Sequence, residues 1–171
     1  AVIQEAEEWA ERRDGWTSTR HFNHPTTDIP LQELPRTRAW FNEACLDRLY
    51  PFLAACFAEA LPNPRALRVA DSFVVKYNAA GGQTSLAPHR DGSVISFNIA
   101  LNELGEYEGA KQCARRVSRR DPTEMSQTDR DPPVHAGCGT WFEGLGRSIQ
   151  SERGHIMTHA SGCLHGGHPI S

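Results

Sequence analysis

The spacing of apolar residues changes character twice along this chain. Over 1–13, good helix formers run without Gly or Pro until Asp14-Gly15, which predicts a first helix. A stretch rich in Thr, Asn and Pro follows and predicts an extended, polar connection. Over 36–60, Trp40, Phe41, Ala44, Cys45, Leu49, Phe52, Leu53, Cys56 and Phe57 recur at steps of three or four. That stripe predicts a long amphipathic helix, with Cys45 and Cys56 as small buried hydrophobes. Pro51 lies inside it and is expected to kink the helix or divide it in two. Leu61-Pro62-Asn63-Pro64 closes the segment.

From there the period falls to two. Residues 69–77 predict a strand with Phe73, Val75 and Tyr77 on one face. A Gly-rich loop leads to Pro88-His89-Arg90-Asp91-Gly92, and 93–102 predict another strand. The remaining segments are short and punctuated by Gly. Several short strands after a helical layer predict a mainly β domain, an antiparallel double-sheet barrel with helices packed outside it. The expected organisation is one domain, with 1–64 as helical support and 69–171 as the β core. Residues 110–137 break the pattern: six Lys/Arg, four Asp/Glu and three Pro, with almost no apolar periodicity. They are read as a disordered insertion between two strands.

Composition adds limits. At 171 residues the chain is long enough for one sizeable core. A formal net charge of −3 gives no electrostatic case for nucleic acid. No apolar run is long enough to span a bilayer. The chain opens without Met and inside a helix, which predicts a piece of a longer product, so the lack of a leader fixes no compartment. Five cysteines without a CxxC pair argue against a zinc ribbon and for mostly free thiols.

The chemistry concentrates at His89-Arg90-Asp91. Residues i and i+2 of a strand project to one side, so His89 and Asp91 can address one ion from a strand end. With a second imidazole they would form a 2-His-1-carboxylate face, the arrangement that holds non-haem Fe(II) and leaves positions open for cosubstrate and O₂. Candidates for that imidazole are His135, His155, His159, His165 and His168. His135 lies in the insertion. His165 is favoured, because Gly166-Gly167 after it leaves room for a metal and for close backbone approach.

Longer motifs carry a family resemblance. Phe73-Val74-Val75-Lys76-Tyr77, Gln83 to Asp91, and Phe97-Asn98-Ile99-Ala100-Leu101-Asn102 resemble the catalytic domain of procollagen lysyl hydroxylases. More broadly they resemble the prolyl 4-hydroxylase-type Fe(II)/2-oxoglutarate dioxygenases. The similarity continues in Tyr107-Glu108-Gly109, resumes at Gly137 to Phe142, and runs through Gly154 to His159 and His165 to Pro169. It implies a double-stranded β-helix (jelly-roll) core whose last strand is truncated at Ser171. It implies that His89, Asp91 and His165 hold Fe(II), and that Tyr77 and Asn98 help hold 2-oxoglutarate. It further implies hydroxylation of a peptidyl lysine or proline, or a related small molecule, by O₂. Decarboxylation of 2-oxoglutarate to succinate accompanies that reaction, and ascorbate serves as reductant. Two departures stand out. The family's Gly-rich turn is split by the 110–137 insertion. The Arg or Lys that pairs with the distal carboxylate of 2-oxoglutarate is expected beyond Ser171. An alternative is a non-catalytic jelly-roll domain that binds metal or partners without the cosubstrate anchor. A metal-dependent cupin-like enzyme would want more His ligands in its first motif.

Overall fold

The computed structural model describes residues 1–106 and 139–170. The expected insertion at 110–137, the motif from Tyr107 to Gly109, Gly137, and Cys113, Cys138 and His135 lie outside the described residues. The chain divides into two compact units, Ala1–Arg20 with Thr27–Lys76, and His21–Thr26 with Tyr77–Ser171.

The first unit holds the helices α1 (Val2–Glu11), α2 (Pro35–Ala44) and α3 (Tyr50–Cys56), and the strands β1 (Asp28–Pro30) and β2 (Phe73–Val75). β1 and β2 pair antiparallel, with Ile29 opposite Val74. Both side chains are buried, together with Ala6, Ala10, Leu31, Leu34, Phe41, Cys45, Leu49 and Leu53. The strand expected over 69–77 is therefore confined to 73–75.

The long helical stripe is narrower than its apolar content implies. Only Phe41, Cys45, Leu49 and Leu53 are buried, at uniform four-residue steps, while Trp40, Phe52 and Cys56 are exposed. The expectation of a buried Cys56 is thus corrected. Steps of four overshoot the 3.6-residue α turn, so the stripe would drift around the helix. A π-helical turn at Cys45–Leu49 takes up the excess, with the Tyr50 N–H bonded to the carbonyl of Cys45. Pro51 follows it directly, at the start of α3, so the widened turn lies where the missing proline N–H interrupts the helical hydrogen-bond ladder. The predicted division at Pro51 therefore takes the form of this widened turn.

The start of α2 has no side-chain cap of its own. Glu5 of α1 supplies one. Its carboxylate accepts the Arg36 N–H at 2.9 Å, the Thr37 N–H at 2.7 Å and the Thr37 hydroxyl at 2.7 Å. These are the N–H groups a helix leaves unbonded at its N-terminus. Burial alone would raise the Glu5 carboxyl, but the hydrogen bonds from Thr37 and Arg36 outweigh it and hold it below the ordinary value.

The second unit is β-rich. Strands β3 (Leu86–His89), β8 (His165–Gly167), β5 (Thr140–Phe142) and β6 (Arg147–Ile149) form one sheet in that order. β4 (Ile95–Ile99) and β7 (Ile156–Ala160) form a second. Every pairing is antiparallel. Contacts join the two sheets, with the His159 ring 4.3 Å from that of His165 and the Asn98 amide 3.5 Å from the Thr140 hydroxyl. Pro88 is tolerated because β3 is an edge strand. Among the described residues, no helix is long and apolar enough to cross a membrane.

Candidate metal centre

Two strand termini and one loop build the centre. His89 ends β3 and His165 begins β8, and the two are direct partners in the antiparallel pair. Cross-strand partners share a face, so their rings meet, with centroids 4.4 Å apart. Asp91 lies beyond the end of β3, not on it. The expectation that strand alternation alone aligns His89 with Asp91 is therefore modified. A loop returns the carboxylate, and the Asp91 N–H is bonded to the Ser161 carbonyl at 3.1 Å.

Nε2 of His89 lies 3.4 Å from Oδ1 of Asp91, and Nε2 of His165 lies 3.8 Å from Oδ2. One donor atom from each of the three residues lies within 4.8 Å of the others. The other imidazole nitrogens decide the electronics. Nδ1 of His89 is 2.9 Å from the Ala87 carbonyl, and Nδ1 of His165 is 3.0 Å from the Cys163 carbonyl. A carbonyl only accepts, so each Nδ1 carries a proton and each Nε2 is the nitrogen turned toward the carboxylate, the atom available as a ligand in the neutral ring. Two imidazole nitrogens and a carboxylate oxygen converging at this range are the donor types a divalent cation takes. The donor set therefore fits a divalent metal, with backbone carbonyls orienting both rings from behind. All three side chains are partly shielded, at 12% exposure for His89, 10% for His165 and 25% for Asp91.

The remaining histidines separate cleanly. His159 of β7 packs on His165 and edge-on to Phe142, and its Nδ1 lies 3.1 Å from the Ala160 carbonyl. It lines the site but stands outside the three-residue donor group. His155 is exposed, 3.9 Å from Glu152. His168 contacts Ser148 at 2.7 Å and stacks on Trp141. Trp141 pairs with Gly166, so this cluster occupies the sheet face opposite His165. The sequence pattern missed His24. Its ring lies 4.9 Å from that of His89, on a segment held by the Gln83 amide donating to the Pro25 carbonyl at 3.2 Å. No periodicity marks His24, which sits between Asn23 and Pro25 in the polar connection.

The double glycine after His165 is required sterically. A Cβ at Gly166 would lie 2.8 Å from the Leu86 carbonyl oxygen, and one at Gly167 would lie 2.6 Å from the Tyr77 hydroxyl. Tyr77 thus reaches the face that carries His165. Burial pushes its phenol up, so it stays a neutral donor, and among the described residues its hydroxyl has no hydrogen-bond partner. Gly167 is also the partner of Thr140, whose hydroxyl meets the Asn98 amide. The Tyr77 hydroxyl and the Asn98 amide therefore approach the same rung of the ladder. Asn98 is exposed on β4.

Comparison with known proteins points the same way. No family model matches the sequence. A procollagen lysyl hydroxylase and glycosyltransferase of Acanthamoeba polyphaga mimivirus is 30% identical over 115 residues, covering 66% of this chain and 12% of that protein. Procollagen-lysine,2-oxoglutarate 5-dioxygenase 1 of Bos taurus is 29% identical over 137 residues, 72% of this chain and 18% of that protein. Human procollagen-lysine,2-oxoglutarate 5-dioxygenase 2 is 34% identical over 93 residues, 54% of this chain and 12% of its own length. The chain is a distant relative of the procollagen lysyl hydroxylases. It spans less than a fifth of the length of these three relatives.

Proposed function

We propose that this chain carries the iron site of a 2-oxoglutarate-dependent dioxygenase that hydroxylates a peptidyl lysine or proline. The observation that carries the reading is the cross-strand pair His89 and His165, whose Nε2 atoms face the Asp91 carboxylate. His89, Asp91 and His165 hold Fe(II) from one side, which leaves the opposite positions for cosubstrate and O₂. The two sheets of the second unit are read as the jelly roll that presents this face.

When bound, iron and 2-oxoglutarate together supply O₂ activation, coupled to release of succinate and CO₂. The protein's part is positioning. The Tyr77 hydroxyl donates to a cosubstrate carboxylate, and the Asn98 amide donates from the facing sheet. Neutral Tyr77 donates without itself competing as an anion. Gly166 and Gly167 keep β8 close against β3 and Tyr77, so the cosubstrate meets a wall without projecting side chains at those positions. His159 and Phe142 shield the His165 ring from water. Ascorbate would act from solution as reductant.

The test is anaerobic addition of Fe(II) and then 2-oxoglutarate. A weak visible charge-transfer band that needs both, and that Asp91→Ala removes, supports the reading. Metal binding without any band would favour a metal-binding domain without turnover. Absence of metal binding would sink both readings.

A further inference from the structure

Asp91 poses a problem that its strand does not solve. It lies past the end of β3, next to Gly92, so no ladder hydrogen bond fixes it. A carboxylate on such a loop would have to be ordered by the metal itself, at a cost in affinity.

The fixing comes from Ser161, between β7 and β8. Ser161 is 1% exposed. Its carbonyl accepts the Asp91 N–H at 3.1 Å, and its N–H donates to the Val94 carbonyl at 3.1 Å. Its hydroxyl meets Ser93 Oγ at 2.8 Å and Ser96 Oγ at 3.2 Å, and those two lie 3.0 Å apart. Three hydroxyls thus close a ring of hydrogen bonds that ties the Asp91 loop to the turn leading into His165. Arg90 adds a further tie, its Nε donating to the Gly162 carbonyl at 2.9 Å. Each hydroxyl has one proton, and Ser93 Oγ also donates toward the Ile95 carbonyl at 3.2 Å, so three protons are shared among four contacts. Deleting any one removes two edges of the ring.

We propose that Ser161, through the hydroxyl ring with Ser93 and Ser96, is a positioning residue that assembles the metal face before the metal arrives. The inference rests on the metal-site reading given above. The ring touches no metal and no substrate. It sets where the Asp91 carboxylate stands relative to His165, four residues beyond Ser161 in the chain. Partners behind a ligand of this kind change metal affinity by about 10- to 100-fold when lost.

The experiment is a titration of the whole chain with Co(II) alone, read by its visible d–d absorption, at a temperature below every variant's melting transition. Ser161→Ala is expected to weaken Co(II) binding about tenfold or more. It should also alter the band shape, because the carboxylate is less constrained. Ser93→Ala removes a more exposed member of the same ring and is expected to weaken binding by a smaller factor. It keeps the proposal testable if Ser161→Ala does not fold. The double variant should bind no more weakly than Ser161→Ala, since the ring is already open. Wild-type affinity and band shape in both single variants would overturn the proposal, even with a lowered melting midpoint. If Asp91→Ala and His165→Ala abolish binding in that case, the metal site itself stands. Unchanged Co(II) binding in Asp91→Ala would overturn the metal site and this proposal with it.

Discussion

His89 and His165, separated by most of the second unit's sequence, are direct neighbours across the β3–β8 ladder. Each holds its Nδ1 proton on a carbonyl two residues earlier in its own chain, Ala87 and Cys163 respectively. The symmetry of these two contacts aims both Nε2 atoms at one carboxylate.

His89→Ala and His165→Ala should therefore each abolish one-equivalent binding of Fe(II) or Co(II) in calorimetry, and succinate formation with it. Far-UV circular dichroism should stay at the wild-type level, since neither ring supplies a ladder hydrogen bond. Retention of one tight equivalent in either variant would show that the donor set is wrong.

Gly167 and Tyr77 should behave as a coupled pair. Gly167→Ala places a Cβ 2.6 Å from the Tyr77 hydroxyl and 3.2 Å from the ring carbon that bears it. The expected loss is about 1–3 kcal/mol in chemical denaturation. Tyr77→Phe removes the closest atom and should recover part of that loss in the double variant. Gly166→Ala meets the backbone of Leu86 and Pro88 and should not be recovered by Tyr77→Phe.

Tyr77→Phe alone tests the cosubstrate role. Losing a hydrogen bond to a carboxylate costs about 1.5–3 kcal/mol. The expected result is a rise in KM for 2-oxoglutarate of about tenfold or more, with Co(II) affinity unchanged. An unaltered KM would remove Tyr77 from the site.

Glu5 gives the first unit an acid limb. Its folded pKa lies below the ordinary value, so its stabilisation is complete above the unfolded carboxyl pKa of about 4.3. That contribution is lost as pH falls through the lower folded value. Glu5→Gln should cost about 2 kcal/mol at neutral pH and flatten the decline in stability below about pH 4. A decline as steep as in the wild type would assign the acid limb to other carboxylates.

Much of this was legible in the sequence, and the reasons differ by element. The period-3.6 stripe announced the helices, but not that only every fourth residue of it is buried, because the π turn depends on what α2 and α3 pack against. His24 carried no signal, because its place beside His89 follows from the path of a Pro-containing connection.

The sequence by itself determined the donors: which imidazoles and carboxylate were available, and that two glycines follow His165. Residue chemistry and backbone freedom are local properties, written at each position. Tertiary structure alone decided that His89 and His165 face each other, that Asp91 returns through a loop pinned on Ser161, and that Glu5 caps a helix 30 residues away. Register, loop return and remote capping are relations between segments. They are fixed only when burial and hydrogen bonding are satisfied together across the fold.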